Sequence, residues 1–100
     1  GAASNIVEGP SGILFLCDTS RHVIEYFDPT TNEVHILAGV AGVAGSRDGN
    51  GQSATFSSPC SICWVPREIS GAVGINDESQ IIGVLFVCDR DNNIIRGVAV

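Results

Sequence analysis

The chain has 100 residues, 44% of them apolar, with eleven Asp and Glu against five Arg and no lysine, a net charge of -6. That length is one ordinary domain, and the acidic balance makes a phosphate backbone a poor general partner, so nucleic-acid binding is not expected on charge. No apolar run reaches the roughly 20 residues of a membrane-spanning helix, so the apolar residues are expected to serve a core or an interface and no membrane partner is expected.

Gly1 to Ser4 read as a remnant or cut end, without the charged and apolar blocks of a leader. Ile13–Cys17 is the first strong strand, a short apolar run bounded by Gly12 and Asp18, and Thr19-Ser20-Arg21 turns it into a second strand at His22–Phe27. The turn Asp28-Pro-Thr-Thr-Asn32, whose proline and Asx side chains suit a reversal, leads to a third at Glu33–Ala38. A glycine-rich connection with no periodic apolar pattern then spans 39 to 59, longer than compact domains usually hold without a purpose. Cys60–Val65 is the next strand, and 67 to 80 form a polar loop. A second hairpin follows, from Ile81–Cys88 and Asn93–Val98 with Arg90-Asp91-Asn92 as its turn. Helical apolar spacing is nowhere sustained, and the expectation is an all-β chain.

Gly12-Ile-Leu-Phe-Leu-Cys-Asp18 returns as Gly83-Val-Leu-Phe-Val-Cys-Asp89, 71 residues later at both ends. An internal repeat of this size signals supersecondary units that cover their apolar faces by stacking. Both copies are apolar at consecutive positions, which calls for burial on both faces of the strand. Cys17 and Cys88 fall where a small buried residue is expected. In Cys60-Ser-Ile-Cys63 the strand period sends i and i+3 to opposite faces, against a shared metal or redox pair. Reduced, structural cysteines are therefore expected, and with no Asn-x-Ser/Thr sequon the chain leans toward an intracellular setting.

These motifs resemble the NHL-repeat β-propellers. Leu14 to Ile24 is similar to the family's strand, Asp-Thr turn, Asn-His and Ile pattern: Asp18, His22 and Ile24 fit, with Arg21 at the Asn position. Leu85 to Ile95 keeps Asp89, Asn92 and Ile95 but has Arg90, Asp91 and Asn93 where Thr, Gly and His are usual. Leu37-Ala-Gly39, Gly42, Gly45, Asp48-Gly49, Gly51, Ala54, Phe56 and Pro59 follow the order of the family's long inter-blade linkers. Ile62–Pro66 falls where the next inner strand belongs, with Val65 where an Asp is common, and Ile6 to Gly12 matches the inner strand and turn of the first blade. The resemblance implies about two four-stranded antiparallel blades of an incomplete ring: a first blade at 5–38, a linker at 39–59, and a second blade at 60–100 that carries an insertion at 67–80 and lacks its outer strand. Propellers close with four to eight blades. Two are expected to leave apolar faces for further blades or for self-association.

The candidate chemistry has structural readings beside it. His22 is a catalytic suspect, but at a blade turn its ring is expected to bond backbone or a neighbouring blade. His35 is expected to face solvent. Asp18 and Asp89 suit turn closure better than acid–base work, because nothing positions a substrate between them. Asp89-x-Asp91-x-Asn93 begins like a calcium loop but lacks the following Gly and a bidentate Glu, and Asp48-Gly-Asn-Gly51 fares no better. The glycine-rich stretch lacks the Lys-Ser/Thr of a phosphate loop. Trp64 is expected in packing, and no nucleophilic triad assembles. The resemblance therefore implies a non-catalytic protein-interaction scaffold without cofactor or metal. The alternatives are part of a metal-dependent propeller enzyme, a lyase or lactonase-like hydrolase, and more remotely an RNA-binding propeller.

Overall fold

The computed structural model describes residues 5–49, 53–66 and 82–100; the polar loop at 67–80, Gly51 and the first four residues lie outside them. Among the described residues there is no α-helix, and the strands form two separate antiparallel sheets with no closed barrel. The first sheet is a meander of β1 (Ile6–Glu8), β2 (Leu14–Asp18), β3 (Val23–Asp28) and β4 (Glu33–Gly39) in sequence order. The second joins β5 (Pro59–Pro66), β6 (Gly83–Asp89) and β7 (Ile94–Ala99) in the same manner.

The second strand of each hairpin begins one residue later than the sequence indicates. His22 and Asn93, equivalent across the repeat, both take a left-handed backbone, with φ of 63° and 58°. A residue with positive φ cannot continue the pleat, so β3 and β7 start at Val23 and Ile94. The Asp28 turn forms as its chemistry requires: the Thr30 N–H donates to Asp28 Oδ1 at 2.9 Å, and Asn32 supplies the left-handed residue. Gly39 ends β4 at φ 99°, where a Cβ would lie 2.7 Å from the His22 carbonyl oxygen, so only glycine fits.

The ladder registers give each sheet two faces, called front and back here. On the first sheet Ile6, Leu16 and Glu25 align on the front, while Phe15, Cys17 and Ile24 lie on the back. On the second, Ile62, Val87 and Arg96 align on the front, with Leu85 two residues before Val87, and Cys63, Phe86, Cys88 and Ile95 lie on the back. The back of the first sheet packs on the front of the second. Phe15, Cys17, Ile24, Ala38, Ile62, Leu85 and Val87 form one buried cluster, joined by Ala54 and Phe56 from the connection. Burying each large side chain contributes on the order of 1.5–3 kcal/mol, and Phe15 and Trp64 stack across the interface with centroids 5.2 Å apart. Gly83 opposite Pro66 makes room for that indole, since a Cβ there would be 2.4 Å from the Trp64 ring.

Burial on both faces of the repeated strands therefore holds on one side of each. Cys17 is buried, whereas Cys88, at the same place in the repeat, is exposed. The expectation of a buried Cys88 fails because no described residue covers the back of the second sheet.

Candidate functional site

The densest polar arrangement among the described residues lies where the glycine-rich connection meets the second sheet. Asp89 ends β6 on the front face, fully buried, and Arg96 points from β7 to the same side with 7% of its surface exposed. Arg96 Nη1 donates to Asp89 Oδ2 at 2.8 Å and to the Thr55 carbonyl at 2.9 Å. Its Nη2 donates to the Arg47 carbonyl at 2.9 Å and to Asp48 Oδ1 at 3.1 Å. The guanidinium sits over the Phe56 ring, 4.6 Å from its centroid, a cation–π contact of about 1–2 kcal/mol in a dry setting. Asn92 Nδ2 donates to Asp89 Oδ2 at 2.7 Å and to the Gly45 carbonyl at 2.9 Å, and the Ser57 N–H donates to Asp89 Oδ1 at 2.7 Å.

Five points of the connection, Gly45, Arg47, Asp48, Thr55 and Ser57, thus converge on three side chains of one hairpin. Buried charge is stable only when paired and hydrogen-bonded, and this pair is saturated by the backbone it holds. Both oxygens of Asp89 are engaged, which leaves it poorly placed for proton transfer or for a calcium ion. Asp89 binds its own turn through the Asn92 side chain, and the backbone N–H it accepts comes from the connection, 32 residues away in sequence.

The equivalent place in the first sheet is built differently. Asp18 accepts from Ser20 Oγ at 3.3 Å, and its nearest cation is the half-exposed Arg21 guanidinium, 3.6 Å away. Arg21 also reaches Glu25 at 3.2 Å. Glu25 stands where the repeat puts Arg96. Burial, followed by the neighbouring Asp18 carboxylate, raises its pKa above the ordinary 4.5, and Arg21 opposes the rise.

His22 takes the backbone-binding role expected of it, accepting the Ser58 N–H on Nδ1 at 2.9 Å. Thr19 Oγ1 donates to the Pro59 carbonyl at 2.7 Å, so the first hairpin turn also grips the end of the connection. His35 faces outward, 3.0 Å from Glu33, with its ring against Tyr26. Ile24, Phe56 and Pro59 are buried, Ile95 and Gly49 are exposed, and Asp48 is exposed beside Arg96. All four cysteines are free, and burial pushes the Cys17 thiol up to about 12, helped by Cys60, Cys88 and Asp89. Among the described residues no group of three or more His, Cys, Asp or Glu converges as metal ligands.

Arg96, Thr55, Ser57 and Glu25 carry this geometry without having drawn notice in the sequence. The five arginines read as scattered charges. Carrying the 71-residue offset past the Cys-Asp pair pairs Glu25 with Arg96, a reversal of charge at one repeat position that marks it as special.

Beside the cluster a cavity of about 590 Å³ opens between the connection and β7, lined by Asp48, Phe56, Ile95 and Arg96 among others. Its volume is in the range of small-molecule sites.

No protein-family model matches the chain, and no curated protein matches it. Among solved structures it is similar to an auxiliary nutrient binding protein from Bacteroides thetaiotaomicron, with 26% identity, a TM-score of 0.70 and 94% of this chain covered. The match covers 22% of that protein, so the chain spans about a fifth of its length.

Proposed function

We propose that the chain is a segment of a larger NHL-type β-propeller, its two sheets consecutive blades, and that it acts as a non-catalytic interaction scaffold. The observation that carries this reading is the use of the polar repeat residues. Asp89, Asn92, Arg96, His22 and Thr19 are all engaged with the backbone of the connection, which suits a structural part and leaves recognition to the loops at the ends of the strands. The match to about a fifth of a longer solved chain supports a part of a larger assembly of sheets. The chemistry is that of a rigid frame: stacked apolar faces set the spacing of the sheets, and the saturated ion pair fixes the connection between them.

Partner binding tests it. Substitutions in the exposed turn at Pro29, Thr30 and Thr31 are expected to weaken capture of a protein partner by the full-length protein without moving its melting temperature. Turnover of a substrate that is lost in a folded His22→Gln or Asp89→Asn variant would overturn the scaffold reading in favour of a propeller enzyme.

A second reading has one observation behind it. The similar protein is described as nutrient binding, and the cavity beside Phe56 and Ile95 is of small-molecule size, so the segment would form one wall of a nutrient site. A rise in melting temperature with a sugar or amino acid, abolished by Ile95→Glu, would select it.

A further inference from the structure

The two histidines make hydrogen bonds of opposite character. His35 Nε2 lies 3.0 Å from the Glu33 carboxylate, a contact that a protonated ring keeps. His22 Nδ1 instead accepts the Ser58 backbone N–H at 2.9 Å. A backbone nitrogen only donates, so this bond requires a bare Nδ1 and puts the ring proton on Nε2. A second proton on the ring would set two N–H donors against each other across 2.9 Å. Ser58 is 8% exposed, so water does not replace the acceptor it would lose. His22 is only half-buried, and protons reach its ring from solvent. Both residues also hold a left-handed backbone, with φ of 63° and 55°, which few residues other than glycine adopt.

We propose that His22 is an acid-released latch on the end of the connection: neutral, it holds Ser58 and with it the start of β5 against the first hairpin turn, and on protonation it lets Ser58 go. The neighbouring holds do not depend on the ring. Thr19 Oγ1 donates to the Pro59 carbonyl, and the Ser57 N–H donates to Asp89, whose charge Arg96 neutralises. The other charged groups around the bond are Asp18 and Arg21 on the turn of His22, Glu25 on β3, and Arg90 and Asp91 on the second turn, where the Asp91 N–H donates to the Ser57 carbonyl at 3.1 Å. Cys17 ends the strand before His22, and Cys60 follows Pro59 on β5. Asp18 lies within reach of Arg21 as Asp89 does of Arg96, so neither carboxylate stands unpaired to offset the clash of donors. The latched state excludes a proton that the released ring accepts, and release therefore grows as pH falls below about 6.5, the ordinary imidazole value. Glu25, whose pKa burial raises, works in the opposite sense, because acid favours its folded form.

The repeat supplies the control. Asn93 occupies the place of His22, 71 residues on and with the same left-handed backbone. An asparagine Oδ1 accepts a hydrogen bond and does not titrate. Amide hydrogen exchange at residue resolution in the full-length protein tests the latch, with the Gly45 N–H, which donates to the Phe56 carbonyl at 2.9 Å, as a reference within the same connection. In the wild type the protection of Ser58, corrected for the intrinsic pH dependence of exchange, is expected to fall about tenfold between pH ~7.5 and ~5.5 while that of Gly45 holds. In His22→Asn the Ser58 protection is expected to stay level, and in His22→Ala to be low at both pH values; melting curves at neutral pH check that both variants fold. A wild-type Ser58 protection that does not change with pH would overturn the proposal without either variant. So would an equal fall at Ser58 and Gly45, which means opening of the whole connection, or the same fall in His22→Asn. None of these readings depends on what the protein binds.

Discussion

Asp18 and Asp89 follow the same apolar run and the same cysteine, and both end the second strand of a sheet, yet the first side chain is 24% exposed and the second wholly buried. The difference lies in what arrives in front of them. The glycine-rich connection crosses the front of the second sheet and offers Asp89 and Arg96 a backbone to bind, whereas no described residue does this for Asp18. A buried carboxylate needs a full set of partners, and Asp89 has Arg96, Asn92 and the Ser57 N–H. Asp18 stays partly open, with a long contact to a half-exposed arginine. The same motif is an anchor in one setting and a partly open strand end in the other.

Breaking the anchor should produce the largest contrast. Arg96→Ala leaves Asp89 without its cation and the Thr55 and Arg47 carbonyls without their donor, a loss of about 3–5 kcal/mol, while Arg21→Ala should cost about 1 kcal/mol or less. Urea unfolding of the two variants checks this. Asp89→Asn is next, at about 1.5–3 kcal/mol for charge-assisted hydrogen bonds, against about 0.5 kcal/mol or less for Asp18→Asn. The repeated cysteines give a comparison without mutation: in dilute protein Cys88 and Cys63 should alkylate about tenfold or more faster than Cys17, whose buried thiol holds its proton to about 12. Mass spectrometry of labelled peptides reads the order.

The smallest effect is the pH dependence of Glu25. Its folded pKa lies above the ordinary 4.5, so the native state holds this proton more tightly than the unfolded chain, and stability falls as pH rises from about 4.5 through the raised value. Glu25→Gln should remove that fall and gain ~0.5 kcal/mol at neutral pH, with no gain in acid below the unfolded value. Melting curves across that window give the answer.

The all-β character and the strand segments were legible because apolar runs bounded by Gly, Pro and Asp are local signals. The repeat carried further. It aligned Cys17 with Cys88 and Asp18 with Asp89, while the long connection was legible from its glycines and its lack of apolar period. Burial was not legible, because it depends on which face another sheet covers: the same Cys-Asp pair gives a buried thiol in one copy and an exposed one in the other. Arg96 was invisible for a related reason. An arginine in a period-two strand reads as a solvent-facing charge until the connection is seen to cross in front of it. His22 lies between the two cases, its place at the turn readable from the motif and its left-handed φ concealed by a residue type that also fits a strand.

The central claim is that Asp89 and Arg96 act as one unit that clamps the connection, while Asp18 and Arg21 do not. A double-mutant cycle by urea unfolding measures it directly, comparing Asp89→Asn with Arg96→Ala and Asp18→Asn with Arg21→Ala. A coupling of about 2 kcal/mol or more is expected for the first pair and about 0.5 kcal/mol or less for the second. Equal couplings, or a near-zero value for Asp89 and Arg96, would contradict it.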